Sequence, residues 1–143
     1  MIRNLLTPLL LLLVTASFSK AIEVGEPMKD MGTMRDLDSG LKLQLFVHEN
    51  KLQACFIDAE GLVAESPAES ILFIVDEPGH KADKWRSVLV PGDDACLVAP
   101  RLLYAPYYYK TRVIVRYKDG TTESMANFRV SLDRAVAESL EDN

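Results

Sequence analysis

The sequence predicts an all-β protein: an immunoglobulin-like β-sandwich of about seven strands, behind a flexible N-terminal arm and before a short C-terminal helix. Three observations predict it. Leu41–Asp58 reads LKLQLFVH-EN-KLQACFID, two runs that alternate apolar and polar residues on either side of Glu49-Asn50. Thr111–Tyr117 and Thr122–Val130 form a second pair of runs around Asp119-Gly120. Cys55 and Cys96 are the chain's two cysteines, and in an exported protein such a pair reads as a disulfide.

The export signal comes first. MIRN is basic, Leu5–Val14 is mostly apolar, and Ser19-Lys20-Ala21 supplies small residues for cleavage. The apolar run falls well short of the roughly 20 residues that cross a bilayer. Residues 1–21 are therefore expected to be removed, leaving no membrane span and a periplasmic or secreted protein.

Residues 22–40 (IEVGEPMKDMGTMRDLDSG) show no sustained apolar period and read as a flexible arm. Met28, Met31 and Met34 recur there at intervals of three. Thioethers favour Cu(I), so these three with His48 form a candidate metal site. The plainer reading is an arm that tucks Met side chains onto the sheet.

The domain proper spans 41–130. Alternation in the first hairpin puts Leu41, Leu43, Leu45 and Val47 on one face. An even loop pairs Val47 with Leu52, Leu45 with Ala54 and Leu43 with Phe56, keeping the apolar set together; an odd loop would split it. The opposite face carries Lys42, Gln44, Lys51 and Gln53 but also Phe46, Cys55 and Ile57. That face needs a partial cover, with Cys55 as a point of attachment. Ile71–Asp76 is apolar throughout, as in a strand covered on both sides, and Trp85–Val90 and Asp93–Val98 are further short strands. In the second hairpin a type I′ turn at Asp119-Gly120 sets Tyr117 against Thr122 and Arg116 against Glu123. Residues 131–143 form an acidic tail in which Leu132, Val136 and Leu140 recur every four residues, a thin helical stripe.

The chain carries a net charge of −5, and nothing basic clusters densely enough to follow a nucleic-acid backbone. No Gly-x-Ser-x-Gly elbow and no His-Glu-x-x-His helix is present, and a paired cysteine offers no nucleophile. His80 lies among Asp76, Glu77 and Asp83, where Asp, Gly and Pro already serve the turn. These observations point away from an enzyme and imply no cofactor. Tyr104, Tyr107, Tyr108 and Tyr109 stand close together around Pro106. They read either as rings covering the end of the core or as an aromatic surface for an envelope protein or small ligand.

The run Phe56-Ile57-Asp58-Ala59-Glu60-Gly61, after an export signal and a glycine-containing arm, resembles small bacterial periplasmic β-sandwich proteins, some of which accompany metal-efflux systems. The resemblance covers 40–130 as a pattern and implies the fold and the export. Such proteins often carry a His-rich arm; here Met28, Met31 and Met34 stand in it and no His does.

Overall fold

The computed structural model describes residues 21–78, 85–103 and 108–131, and within these not the side chains of 76–78, 108, 109 and 126–131. Eight antiparallel strands make one continuous sheet: β1 (Thr33–Asp36), β2 (Lys42–His48), β3 (Lys51–Ile57), β4 (Ala68–Pro78), β5 (Trp85–Pro91), β6 (Leu97–Leu102), β7 (Tyr108–Tyr117) and β8 (Thr122–Ser131). Their spatial order is β1-β2-β3-β6-β5-β4-β7-β8. The all-β class holds. The signal segment, but for Ala21, lies outside the described residues, as does the expected helix beyond Ser131.

The sheet is curled, and the device that curls it is β5. Its first part, Trp85–Leu89, pairs with β4, while Val90 and Pro91 pair with Val98 and Leu97 of β6. The two halves thus face each other across one core. Leu43, Leu45, Leu52, Ala54, Phe56 and Leu97 come from one side; Ile71, Phe73, Val75, Leu89, Val113 and Val115 come from the other. All are buried. Burying an aliphatic or aromatic side chain of this size contributes roughly 1.5–3 kcal/mol, so this shared interior holds the halves together.

The first hairpin has the expected register. Val47 faces Leu52, Leu45 faces Ala54 and Leu43 faces Phe56. The two-residue turn needs positive φ twice, and Glu49 and Asn50 adopt 51° and 61°. Asn tolerates that region and Glu does not. Giving the turn the favoured Asn-Gly sequence, by combining Glu49→Asn with Asn50→Gly, is expected to stabilise the fold by about 1 kcal/mol, read as a rise of roughly 4–8 °C in Tm.

The second hairpin departs by one residue. Arg116 pairs with Thr122 and Val115 with Glu123, around a three-residue loop closed by Tyr117 N–H to Thr121 O (2.9 Å). Only Gly120 takes positive φ, at 89°. The Asp119 carboxylate accepts from the Thr121 N–H (2.8 Å) and hydroxyl (2.6 Å), fixing a turn-plus-bulge in place of the type I′ pair. The same slip sets Val113 against Met125, and a bulge between Thr111 and Val113 then brings Thr111 opposite Phe128. The expected Arg116–Glu123 pair is replaced: Arg116 meets Glu69 (3.3 Å).

Glu123 is used to bring the two edges of the sheet together. It accepts from the Asp38 backbone N–H (2.8 Å), just past β1, and from the Tyr117 hydroxyl (3.2 Å). Burial, with Glu123 beside it, pushes that hydroxyl from 10.0 up to about 12. A group raised in the folded state favours folding below its unfolded value, and this contribution fades as pH climbs from 10.0 to about 12.

Two expectations need correction. The strand at Asp93–Val98 begins only at Leu97, because Asp94 Oδ1 accepts the Cys96 N–H (3.0 Å) and holds 92–96 in a turn. Pro100 lies within β6, where the register with β3 shifts and its missing N–H costs nothing. The described residues hold eight strands rather than seven, because residues 22–40 are no free arm. They supply β1, paired with β2 from Thr33↔Leu45 to Asp36↔Lys42, and the buried Leu37.

Candidate functional site

The outer face of β2 and β3 carries Phe46, Cys55 and Ile57, and the cover it needs is the start of the same segment. Residues 22–31 run across it, tied by hydrogen bonds to two loops. Gly25 N–H donates to Val63 O (2.7 Å), Val63 N–H to Glu26 O (2.9 Å), and Ala95 N–H to Ile22 O (2.9 Å). Gln44, on the face expected to be partly covered, is wholly buried beneath. Its Nε2 donates to the carbonyls of Lys29 and Met31, both at 2.9 Å. The segment closes a second, smaller core in which Ile22, Met28, Met31 and Ala95 pack on Phe46, Ile57, Val63 and the sulfurs of Cys55 and Cys96.

Cys55 and Cys96 are joined, with Cα atoms 4.6 Å apart. The bond links β3 to the residue before its neighbour β6, not one layer of a sandwich to the layer facing it. A disulfide in this small second core fits an oxidising compartment. Among the described residues no helix is long and apolar enough to cross a membrane.

Where the covering segment leaves the sheet, a cleft of about 480 Å³ opens. Met28, Met31, Phe46 and Val98 give it apolar walls; His48, Gln53, Lys29 and Lys51 reach it, and Glu26, Glu49, Asp93 and Asp94 add four carboxylates. Gln53 Oε1 is buried and has no hydrogen-bond partner. Such an orphaned acceptor costs about 1–3 kcal/mol, and it sits on a residue of the cleft wall.

Three of the four candidate metal-site residues therefore meet in one cleft: Met28, Met31 and His48. His48 Nε2 also lies 3.8 Å from Glu49 Oε1. Met34 is on β1 opposite Gln44, half-buried and outside the cleft lining. Among the described residues no three His, Cys, Asp or Glu side chains gather so as to hold a metal ion. Of the tyrosine cluster, Tyr104 and Tyr107 lie outside the described residues, as does His80. Tyr108 and Tyr109 open β7, their backbones opposite Ser131 and Val130.

Sequence reading missed Gln53 and the four carboxylates as parts of a site. Their one signal was the strand face that mixes Gln44 and Gln53 with Phe46 and Cys55, which calls for a cover without saying which segment provides it. Comparison with protein-family models, with curated proteins and with solved structures finds no match to this chain.

Proposed function

We propose that this chain is a non-enzymatic binding module of the periplasm or the secreted space. Its curled sheet serves as an immunoglobulin-like sandwich scaffold, and it takes a small ligand with an apolar body and a cationic, hydrogen-bond-donating head in the cleft beneath residues 22–31. The observation that carries this reading is the orphaned Gln53 Oε1 in a cleft whose apolar walls are Met28, Met31, Phe46 and Val98. A buried acceptor left unpaired carries a stability cost, and a bound donor would remove it. The carboxylates at Glu26, Glu49, Asp93 and Asp94 favour a positive head.

A second reading rests on the same cleft. Met28, Met31 and His48 together offer two thioethers and an imidazole, a donor set suited to Cu(I).

Gln53→Met separates a ligand site from an ordinary wall. It removes the orphaned acceptor at nearly constant volume, so the free protein is expected to gain about 1 kcal/mol while ligand binding weakens. The check is thermal unfolding beside two titrations of the mature chain: small alkylammonium compounds followed by amide shifts, and Cu(I) under anaerobic conditions against a chromophoric chelator. Binding of alkylammonium lost in Gln53→Met supports the first reading. Cu(I) binding tighter than about 1 μM, lost in Met28→Leu with Met31→Leu, supports the second. No shift at the cleft with either probe discards both.

A further inference from the structure

Residues 22–31 are held on the sheet in two ways. Hydrogen bonds tie their backbone to Gly61, Val63 and Gln44. Two thioether side chains do the rest: Met28 and Met31 pack on Phe46, Ile57, Val63 and the joined Cys55 and Cys96. These two side chains are only half-buried, because they also line the open cleft of about 480 Å³. Solvent therefore reaches them. Both cysteines of the chain are joined, so no thiol competes for an oxidant and the thioethers are the sulfur left to oxidise. The other described methionines are placed elsewhere. Met34 lies on β1 outside the cleft lining, and Met125 packs against the main core.

We infer that Met28 and Met31 are a modification site: oxidised to sulfoxides by a neutral peroxide, they release residues 22–31 from the sheet and open the cleft. This is regulation of the cleft described above, and it rests on the proposed function only for the identity of what is let go. A sulfur lone pair attacks one oxygen of hydrogen peroxide, and the S–O bond forms as the O–O bond breaks. The sulfur gives up two electrons. The proton on the transferred oxygen passes to the departing hydroxide, which leaves as water. An uncharged oxidant suits the cleft, since Glu26, Glu49, Asp93 and Asp94 repel an anionic one. The sulfoxide turns an adaptable apolar side chain into a polar one, and where it stands it meets no donor. The side chains of Phe46, Ile57, Val63 and the paired cysteines donate no hydrogen bond, and Gln53 Oε1 on the cleft wall is itself an acceptor without a partner. Burying a polar group unpaired is costly. The ammonium donors Lys29 and Lys51 are exposed at the cleft, so the oxidised side chains are satisfied by swinging outward, off Phe46. The main core shares no buried residue with this smaller one, so the release is local.

The test uses the mature chain without ligand, hydrogen peroxide as the oxidant and trypsin as the probe. The bond to follow is the one after Lys29, whose side chain is exposed while Gln44 Nε2 holds its carbonyl at 2.9 Å. Once peptide mapping finds oxygen on Met28 and Met31, cleavage there is expected to quicken about tenfold or more, because proteolysis tracks the population of the opened form. The far-ultraviolet β-sheet spectrum should stay unchanged. Met28→Leu with Met31→Leu nearly conserves volume and should abolish the response, whereas Met34→Leu with Met125→Leu should leave it whole. Four results would overturn the inference: Met28 and Met31 staying thioethers under peroxide that oxidises Met34 or Met125; both carrying oxygen with Lys29 cut no faster; the same quickening in Met28→Leu with Met31→Leu; or loss of the sheet spectrum together with the cover. Release is measured without a ligand, so failure of the alkylammonium and Cu(I) titrations would remove the proposed ligands and not this site.

Discussion

Gly32→Ala is expected to destabilise the protein by about 3 kcal/mol or more. Gly32 is buried where residues 22–31 turn into β1, and its φ is 65°. A left-handed conformation costs a side chain roughly 1–2 kcal/mol. The larger cost is steric. A methyl group there would collide with the carbonyl oxygen of Leu45 and lie 2.9 Å from its carbon and from Phe46 Cα. These are backbone atoms of β2, flanked by β1 and β3, so they cannot step aside without opening the ladders. Gly25 and Gly61 provide the control, with φ of 88° and 80° and nothing within 4 Å of an added Cβ. Alanine at either should cost only the conformational part, about 1 kcal/mol. Urea unfolding separates the two: with a slope of roughly 1–3 kcal/mol/M, the midpoint of Gly32→Ala should fall by more than about 1 M and those of the controls by about half a molar unit. Equal losses at all three sites would mean that β1 does not approach β2 this closely.

Gly32 also shows where the sequence stops being legible. The β2–β3 hairpin can be read in full because two alternating runs and an even loop admit one register that keeps Leu43, Leu45, Val47, Leu52, Ala54 and Phe56 together. The pairing of Cys55 with Cys96 follows from number and compartment alone. The β7–β8 hairpin slips by one because Asp-Gly serves two turn types, and the choice is made by the hydrogen bonds between Asp119 and Thr121. Residues 22–40 misread for a deeper reason. Their order comes from the face they cover: Gln44 donating to Lys29 and Met31 carbonyls, and Leu37 reaching the main core. No local period records a contact made with another strand's outer face. Of the candidate site, the donor types Met28, Met31 and His48 could be picked from sequence, but their meeting in one cleft depends on that cover, and so does the role of Gln53.

Removing the disulfide is expected to cost about 4 kcal/mol. Cys55 and Cys96 are 41 residues apart, and chain-entropy arguments place the gain from closing such a loop near that value. Against a total stability of roughly 5–15 kcal/mol for a domain, the loss is large. It also falls unevenly. Cys96 follows Ala95, whose N–H holds Ile22 O, and both sulfurs lie in the small core that Met28 and Met31 cover. Loosening this bond should therefore free the covering segment before it opens the main core. Cys55→Ala with Cys96→Ala should lower Tm by roughly 15–30 °C, taking about 4–8 °C per kcal/mol for a domain of about 100 residues. Limited proteolysis of the variant should cut first within residues 22–31, below the temperature at which the β-sheet spectrum is lost. Reductant should reproduce both effects in the wild type and do nothing further to the variant. If Tm fell by only a few degrees and the covering segment stayed protected, Gln44 and the backbone bonds to Val63 would be holding the cleft closed, and the disulfide would be incidental to it.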